Sequence, residues 1–377
     1  MSEKTYTVIL HIVNNCDRFI GEKCYVASNQ HDWQAAGELI GPIPPKGASI
    51  TTVLQDIEEG ELELKITRGS WATLQTSTDG KLLSPYSVDV QGDIEIALSI
   101  DGWRDAFPLS TASPQVHVLA ENFYFPRLDQ YKKVWIYLPE NYGSSEKHYP
   151  VIYMHDGQHL FDEATSVGRA GPVEWMVDET IDEANHKAIV VGIAHAANVE
   201  DRERELLMHP FRNVERPLGE AYLADVVNLI KPYVDEVYRT KPDRSNTAMV
   251  GSSLGGLATL YAGMLYPHTF GTLGVFSPSI WTGKQELNQR FLQEIEKYRE
   301  FFEDQRYYFY AGEKEKRRNE TAKEPSMVSD MLAFTRLQEE NISTNITIDI
   351  DPLGKHGALY WQKAFARFYR WWCKEIF

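Results

Sequence analysis

"TAMVGSSLGGLATLYAGMLYP", residues 247–267, places two adjacent serines among glycines, and its reading decides the fold of the chain. The first residues form an apolar β run; the last dozen are small and apolar residues suited to a buried helix. Between them Gly251-Ser252-Ser253-Leu254-Gly255 fits G-x-S-x-G, the strand–turn–helix elbow that exposes a nucleophile. The turn is so tight that side chains two residues either side of the nucleophile would collide, so Gly251 and Gly255 answer a steric demand. Spacing assigns the role to Ser253, because Ser252 occupies a variable position. The following amide, that of Leu254, lies at a helix N-terminus and is aimed at a developing oxyanion.

Working outward, the flanking segments alternate between strand and helix. "KVWIYLP", "YPVIYMHDG", "AIVVGIAH", "LGVFSPS", "RYYFYAG" and "NITIDIDP" read as strands. "EAYLADVVNLIKPYVDEVY" and "QELNQRFLQEIEKYREFF" have helical spacing. Such alternation implies right-handed crossovers and an α/β fold with a mostly parallel sheet over residues 115–377. Residues 1–104 have another texture. "YTVILHIV", "KCYVAS", "ELELKIT" and "DIEIALSI" are short alternating runs punctuated by "NNCD", "PIPPKG" and "STDG", the pattern of an antiparallel, immunoglobulin-like β-sandwich. The boundary falls near residues 104–114.

A serine hydroxyl needs a base, and in this fold the chain order is serine, acid, histidine. Of 11 histidines, His268 and His356 follow Ser253. His268 comes one helix after the elbow, too early for the base. His356 follows the last strand and precedes an aromatic terminal helix, where the base belongs. For the acid, "YFYAGEKEKRR" offers Glu313 and Glu315 at a strand's carboxyl end, with Asp349 and Asp351 less well placed. The second oxyanion donor is expected from "VIYMHDGQHLFD", near Gln158, where Gly157 lets backbone amides turn. A metal reading of His155, Asp156 and His159 needs a helix to align them, and Gly157 in a loop works against it.

Bulk composition narrows the function classes. The 377 residues are 43% hydrophobic and 24% charged, ordinary for a globular protein with a sizeable core. A net charge of −16 argues against nucleic acid and anionic membranes as partners. Three cysteines do not make a disulfide framework, and no apolar run is long enough for a membrane span. With no leader-like stretch at the start, a cytoplasmic location is expected.

"VIYMHDGQHLFD", "VGIAH" followed by "RERE", "GSSLGGLATLYAG", "FGTLGVFSPSIW", "YFYAGEKE" and "DPLGKHGALYW" together resemble the esterase D family of α/β-hydrolases, which includes enterochelin, feruloyl and acetyl-xylan esterases. The resemblance implies Ser253 as nucleophile, His356 as base and, through a G-x-x-[DE] pattern, Glu315 rather than Glu313 as acid. It also implies a substrate pocket with Asp156, Arg202 and Glu205 (an R-x-x-E pattern) and Trp281 after the "SPS" turn. Where His159 stands, the family usually has asparagine. The amino-terminal region is similar to starch-binding carbohydrate modules through "ASNQHDWQAAGEL" and "LELKITRGSWATLQ", which implies a sugar platform of Trp33, Lys65 and Trp71. The expected activity is serine-dependent hydrolysis, through an acyl-enzyme, of a small-molecule or oligosaccharide ester of acylated-carbohydrate or siderophore type, with no metal or organic cofactor. The rival expectation is a catalytically silent glycan-binding protein that keeps the fold as scaffold.

Overall fold

A computed structural model describes residues 4–166, 171–315, 326–342 and 345–376. The chain divides into two compact units, Met1–Thr111 with Glu163–Val173, and Ala112–Asp162 with Glu174–Phe377. The segment Glu163–Val173 thus groups with the first unit, although sequence order puts it inside the second domain. One reason is chemical: Glu163 forms an ion pair with the buried Arg104 at 2.8 Å.

In the first unit, strands β1 (Thr5–Asn14), β2 (Lys23–Ser28), β3 (Glu38–Pro42), β4 (Ser49–Glu58), β5 (Gly60–Thr67), β6 (Gln75–Thr76), β7 (Tyr86–Val90), β8 (Ile94–Ile100) and β9 (Gly102–Trp103) form three sheets among the described residues. These run β4-β1-β8, β3-β2-β5-β7 and β6-β9. Period-two alternation sets the core: Val8, Leu10 and Ile12 of β1 and Leu62, Leu64 and Ile66 of β5 point inward around Trp103. One pairing departs from the antiparallel expectation, since β1 and β8 run parallel.

The sugar platform read from the sequence is not presented. A platform needs open ring faces, yet Trp33 is 7% exposed and Lys65 6%. Consecutive left-handed residues, Asp32 and Trp33, turn the chain there, and the Trp33 amide donates back to the Ser28 carbonyl at 2.9 Å. Lys65 lines a cavity of about 620 Å³ with Tyr86 and Leu98, whereas Trp71 lines a different one of about 430 Å³. Burial pushes the Lys65 ammonium down to about 8, and nearby Glu163 and Glu63 oppose that shift.

The second unit holds β10 (Val116–Phe125), β11 (Gln130–Tyr137), β12 (Val151–Met154), β13 (Ile189–Ile193), β14 (Thr247–Ser252), β15 (Thr272–Phe276), β16 (Arg306–Gly312) and β17 (Asn345–Asp351). They make one sheet in the order β10-β11-β13-β12-β14-β15-β16-β17. The β10–β11 and β11–β13 pairings are antiparallel and the remainder parallel. Helices α1 (Val177–Glu183), α2 (Val199–Leu206), α3 (Gly219–Asp225), α4 (Lys231–Val237), α5 (Leu254–Leu265), α6 (Lys284–Glu303), α7 (Met327–Asn341) and α8 (Ala358–Ile376) connect and cover it. The central strands are buried along their whole length, as parallel strands covered on both faces must be. Val151 and Tyr153 join the layer containing α5; Ile152 and Met154 join the layer containing α8.

The helical stretch read over residues 220–238 is interrupted by a π-turn, Val226–Ile230, between α3 and α4. Pro232 explains it: proline has no N–H to offer the preceding turn, and a widened turn upstream takes up the mismatch. Among the described residues no helix is long and apolar enough to cross a membrane.

Candidate active site

Strand β14 runs buried to Ser252, and α5 starts at Leu254, so the whole reversal falls on Ser253. Its backbone takes φ 56° and ψ −120°, a conformation that costs a non-glycine residue about 1–3 kcal/mol. The chain is held there by three bonds. The Ser253 amide donates to the Phe276 carbonyl at 2.9 Å, while its carbonyl accepts from Leu257 at 3.1 Å and Ser279 at 3.0 Å. A β-carbon on Gly251 would sit 2.5 Å from the Gly255 carbonyl oxygen, so the two glycines close on each other. On Gly255 it would come within 3.2 Å of the His155 side chain.

His356 enters from the loop after β17, and its Nε2 lies 3.0 Å from Ser253 Oγ. Its other nitrogen, Nδ1, is 2.9 Å from Glu315 Oε2. Glu315 follows β16 and is 4% exposed. Its Oε1 accepts from the Gly312 amide at 2.7 Å and from the Ser277 hydroxyl at 2.5 Å. Ser277 in turn accepts the indole N–H of Trp361 at 3.0 Å, and that ring stands edge-on to His356, centroids 4.9 Å apart. Serine, imidazole and carboxylate therefore form one hydrogen-bonded row. The other candidate acids are elsewhere: Glu313 is exposed, Asp349 is held by Tyr308 and Arg367 at 2.6 Å each, and Asp351 accepts from the Leu353 amide.

Sequence reading did not single out Ser277 or Ser279, whose Oγ is 3.2 Å from Ser253 Oγ. Neither carries a charge or motif that would mark it; they are visible only once β15 is laid beside β14 and β16.

The loop after β12 lies beneath the elbow. Gly157 starts a 3₁₀ turn, Gly157–His159, pressed so closely on the Gly192 backbone that a β-carbon would meet it at 2.6 Å. Leu254 contributes the first amide of α5, and Gln158 sits inside the 3₁₀ turn, its side-chain Oε1 accepting the His195 amide at 3.2 Å. Asp156 precedes the turn in the left-handed region, φ 59°. Its carboxylate is gripped by Arg202 through two bonds of 2.7 Å. Burial works to raise the Asp156 pKa, but the guanidinium outweighs it and holds the group below the usual carboxylate range.

The pocket expectation for Glu205 changes on this evidence. Glu205 is 2% exposed and bonded to the buried Lys132 at 2.6 Å and to the Ala196 amide at 2.8 Å. Its carboxylate is thereby occupied inside the fold, and α2 presents Arg202 and Glu205 to two separate buried partners. Trp281, in the turn Ile280–Thr282, packs edge-to-face on Phe211 at 5.4 Å, with the Arg212 guanidinium over both rings.

The three polar side chains of the same loop are engaged separately. His155 Nδ1 meets the Tyr222 hydroxyl at 2.8 Å, His159 Nε2 meets His195, and Asp156 meets Arg202, so the three diverge. Burial pushes the imidazoles of His155 and His159 down to about 4 each, opposed by the Asp156 charge. Elsewhere in this unit Glu174, Asp178 and Glu179 bring carboxylate oxygens within 4.8 Å of one another at the start of α1. Burial, then the charges of Asp178 and Glu174, push the Glu179 carboxyl up to about 9.

A family model described as "Putative esterase" matches residues 126–371. The Iron(III) enterobactin esterase of Dickeya dadantii is 25% identical over 272 residues, 67% of this chain and 54% of that protein. An uncharacterized Bacillus subtilis protein, YbbA, is 26% identical over 156 residues, 40% of this chain and 58% of its own length. The chain thus spans little more than half the length of these relatives. Among solved structures, the enterobactin esterase FES from Shigella flexneri, determined in the presence of enterobactin, shares the fold with a TM-score of 0.53. Identity there is 18%, over 94% of this chain and 89% of that one.

Proposed function

Because the chain belongs to the putative esterase family, we propose that it hydrolyses carboxylic esters through an acyl-serine intermediate. One observation carries the reading: His356 reaches Ser253 Oγ at 3.0 Å while a buried carboxylate, Glu315, lies 2.9 Å from its far nitrogen. Ser253 Oγ attacks the ester carbonyl and gives its proton to His356 Nε2. Glu315 accepts from Nδ1–H, fixes the tautomer and stabilises the imidazolium. The carbonyl oxygen becomes an oxyanion facing the Leu254 amide and an amide near Gln158, each donor contributing about 3–4 kcal/mol to the transition state. Collapse expels the alcohol, which takes its proton from His356. Water then loses a proton to His356 and attacks the acyl group, and as the acyl–Oγ bond breaks His356 returns that proton to Ser253 and the acid leaves. No step calls for a cofactor.

The substrate class follows from relatives in name only, siderophore and feruloyl esterases among them, and a small-molecule or oligosaccharide ester fits both. The silent glycan-binding alternative loses its support with the burial of Trp33 and Lys65. The test uses 4-nitrophenyl acetate, acetyl-xylo-oligosaccharide, feruloyl-arabinose and enterobactin. Turnover of at least one, abolished by Ser253→Ala, is expected; folded protein that turns over none of them sinks the proposal.

A further inference from the structure

Outside the serine row, the structure brings together two imidazoles with no part in the proposed reaction. His159 closes the 3₁₀ turn after β12, and His195 stands two residues beyond β13. Their Nε2 atoms lie 3.3 Å apart, and the rings are 5.4 Å between centroids at 37°. We propose that His159 and His195 form a binding site for a borderline divalent transition metal such as Zn²⁺, Co²⁺ or Ni²⁺, with its remaining positions open to solvent or ligand oxygens.

Three features argue for it. Two nitrogens bound 2.0–2.1 Å from a tetrahedral ion stand about 3.3–3.4 Å apart, the separation already built here. His195 Nδ1 lies 2.5 Å from the Ala196 carbonyl oxygen, which can only accept, so Nδ1 carries the proton and Nε2 the lone pair. A backbone carbonyl on the far nitrogen is the usual support behind a metal-bound histidine. Thirdly, both side chains remain partly exposed, which gives an ion access. Asp156, tied bidentately to Arg202, contributes negative field to the pair and no bond to the ion. The two imidazole donors favour these ions over Mg²⁺ and Ca²⁺, which take oxygen ligands. The site is independent of the esterase reading, since neither ring touches Ser253 or Glu315 in the hydrogen-bonded row.

The test titrates the full chain with Co²⁺, followed by visible absorption, and with Zn²⁺ by calorimetry, with Mg²⁺ as control. One ion per chain is expected, with affinity lowered about tenfold or more in His195→Ala and in His159→Asn. Ser253→Ala and His356→Ala should bind the ion as the native chain does. Circular dichroism establishes that the variants are folded. Absence of Co²⁺ and Zn²⁺ binding by the native chain overturns the proposal, as does binding that survives unchanged in both folded histidine variants.

Discussion

Ser253 adopts a backbone conformation that a side chain disfavours and glycine accepts readily. Relieving that strain separates stability from activity. Ser253→Gly should raise the thermal midpoint, a gain of about 1–2 kcal/mol, while hydrolysis of 4-nitrophenyl acetate disappears. A midpoint equal to or below that of Ser253→Ala would show the strain to be absent. Within the row, Ser253→Ala or His356→Ala should lower kcat by roughly 10⁴-fold or more, and Glu315→Gln by about 10³–10⁴-fold, read in the same assay. At this scale a motif and chain order single out Ser253 and His356, whose side chains lie 3.0 Å apart. Glu315 and Glu313 stand two residues apart in one charged run. Beyond the resemblance, the reversal after β16 is what turns the first to His356 and the second to solvent. Ser277 and His195 act through neighbours far away in the chain, which no local pattern announces.

Elements became legible in proportion to how continuously they are buried. β12, β13 and β15 are unbroken apolar runs, so their strand character survives without tertiary knowledge. β10 was missed because "VHVLAENFYF" pairs on one side only and slips register twice, at Val118/Ala120 and Ala120/Phe123, which breaks its alternation. The elbow is an element-scale device, since β14 and α5 can meet only if Gly251 and Gly255 have no side chains between them. Gly251→Ala should cost about 1–3 kcal/mol in denaturant unfolding and depress kcat, because the new β-carbon and the Gly255 carbonyl cannot both stay in place. At the head of α1, Glu179 keeps a proton in the folded state that it releases when unfolded. Between its ordinary 4.5 and about 9 the folded chain therefore binds more protons, and stability falls as pH rises through that window. Glu179→Gln should flatten this slope and stabilise the protein by about 1–3 kcal/mol at pH 8. An unchanged profile of thermal midpoint against pH would refute the assignment.

The two units of the molecule do not follow chain order, and this has a consequence for truncation. Ser253, His356 and Glu315 all belong to the second unit, whereas Glu163–Val173 groups with the first. A chain starting at residue 112 should keep the serine row, measurable as titration of Ser253 by a fluorophosphonate. It should also become sensitive to limited proteolysis within 163–173, because Glu163 loses Arg104. The change of texture near residue 104 lies close to the division after Thr111, whereas the grouping of Glu163–Val173 with the first unit has no such signal, because its partners are distant in the chain. The whole molecule also contains its own optical reporter. Trp361 meets the His356 ring edge-on, and a protonated imidazole quenches a neighbouring indole. Intrinsic emission should therefore track the charge on His356 through each turnover, dimming as the imidazolium forms and recovering as its proton departs, and Trp361→Phe should erase that signal from the background of the other indoles.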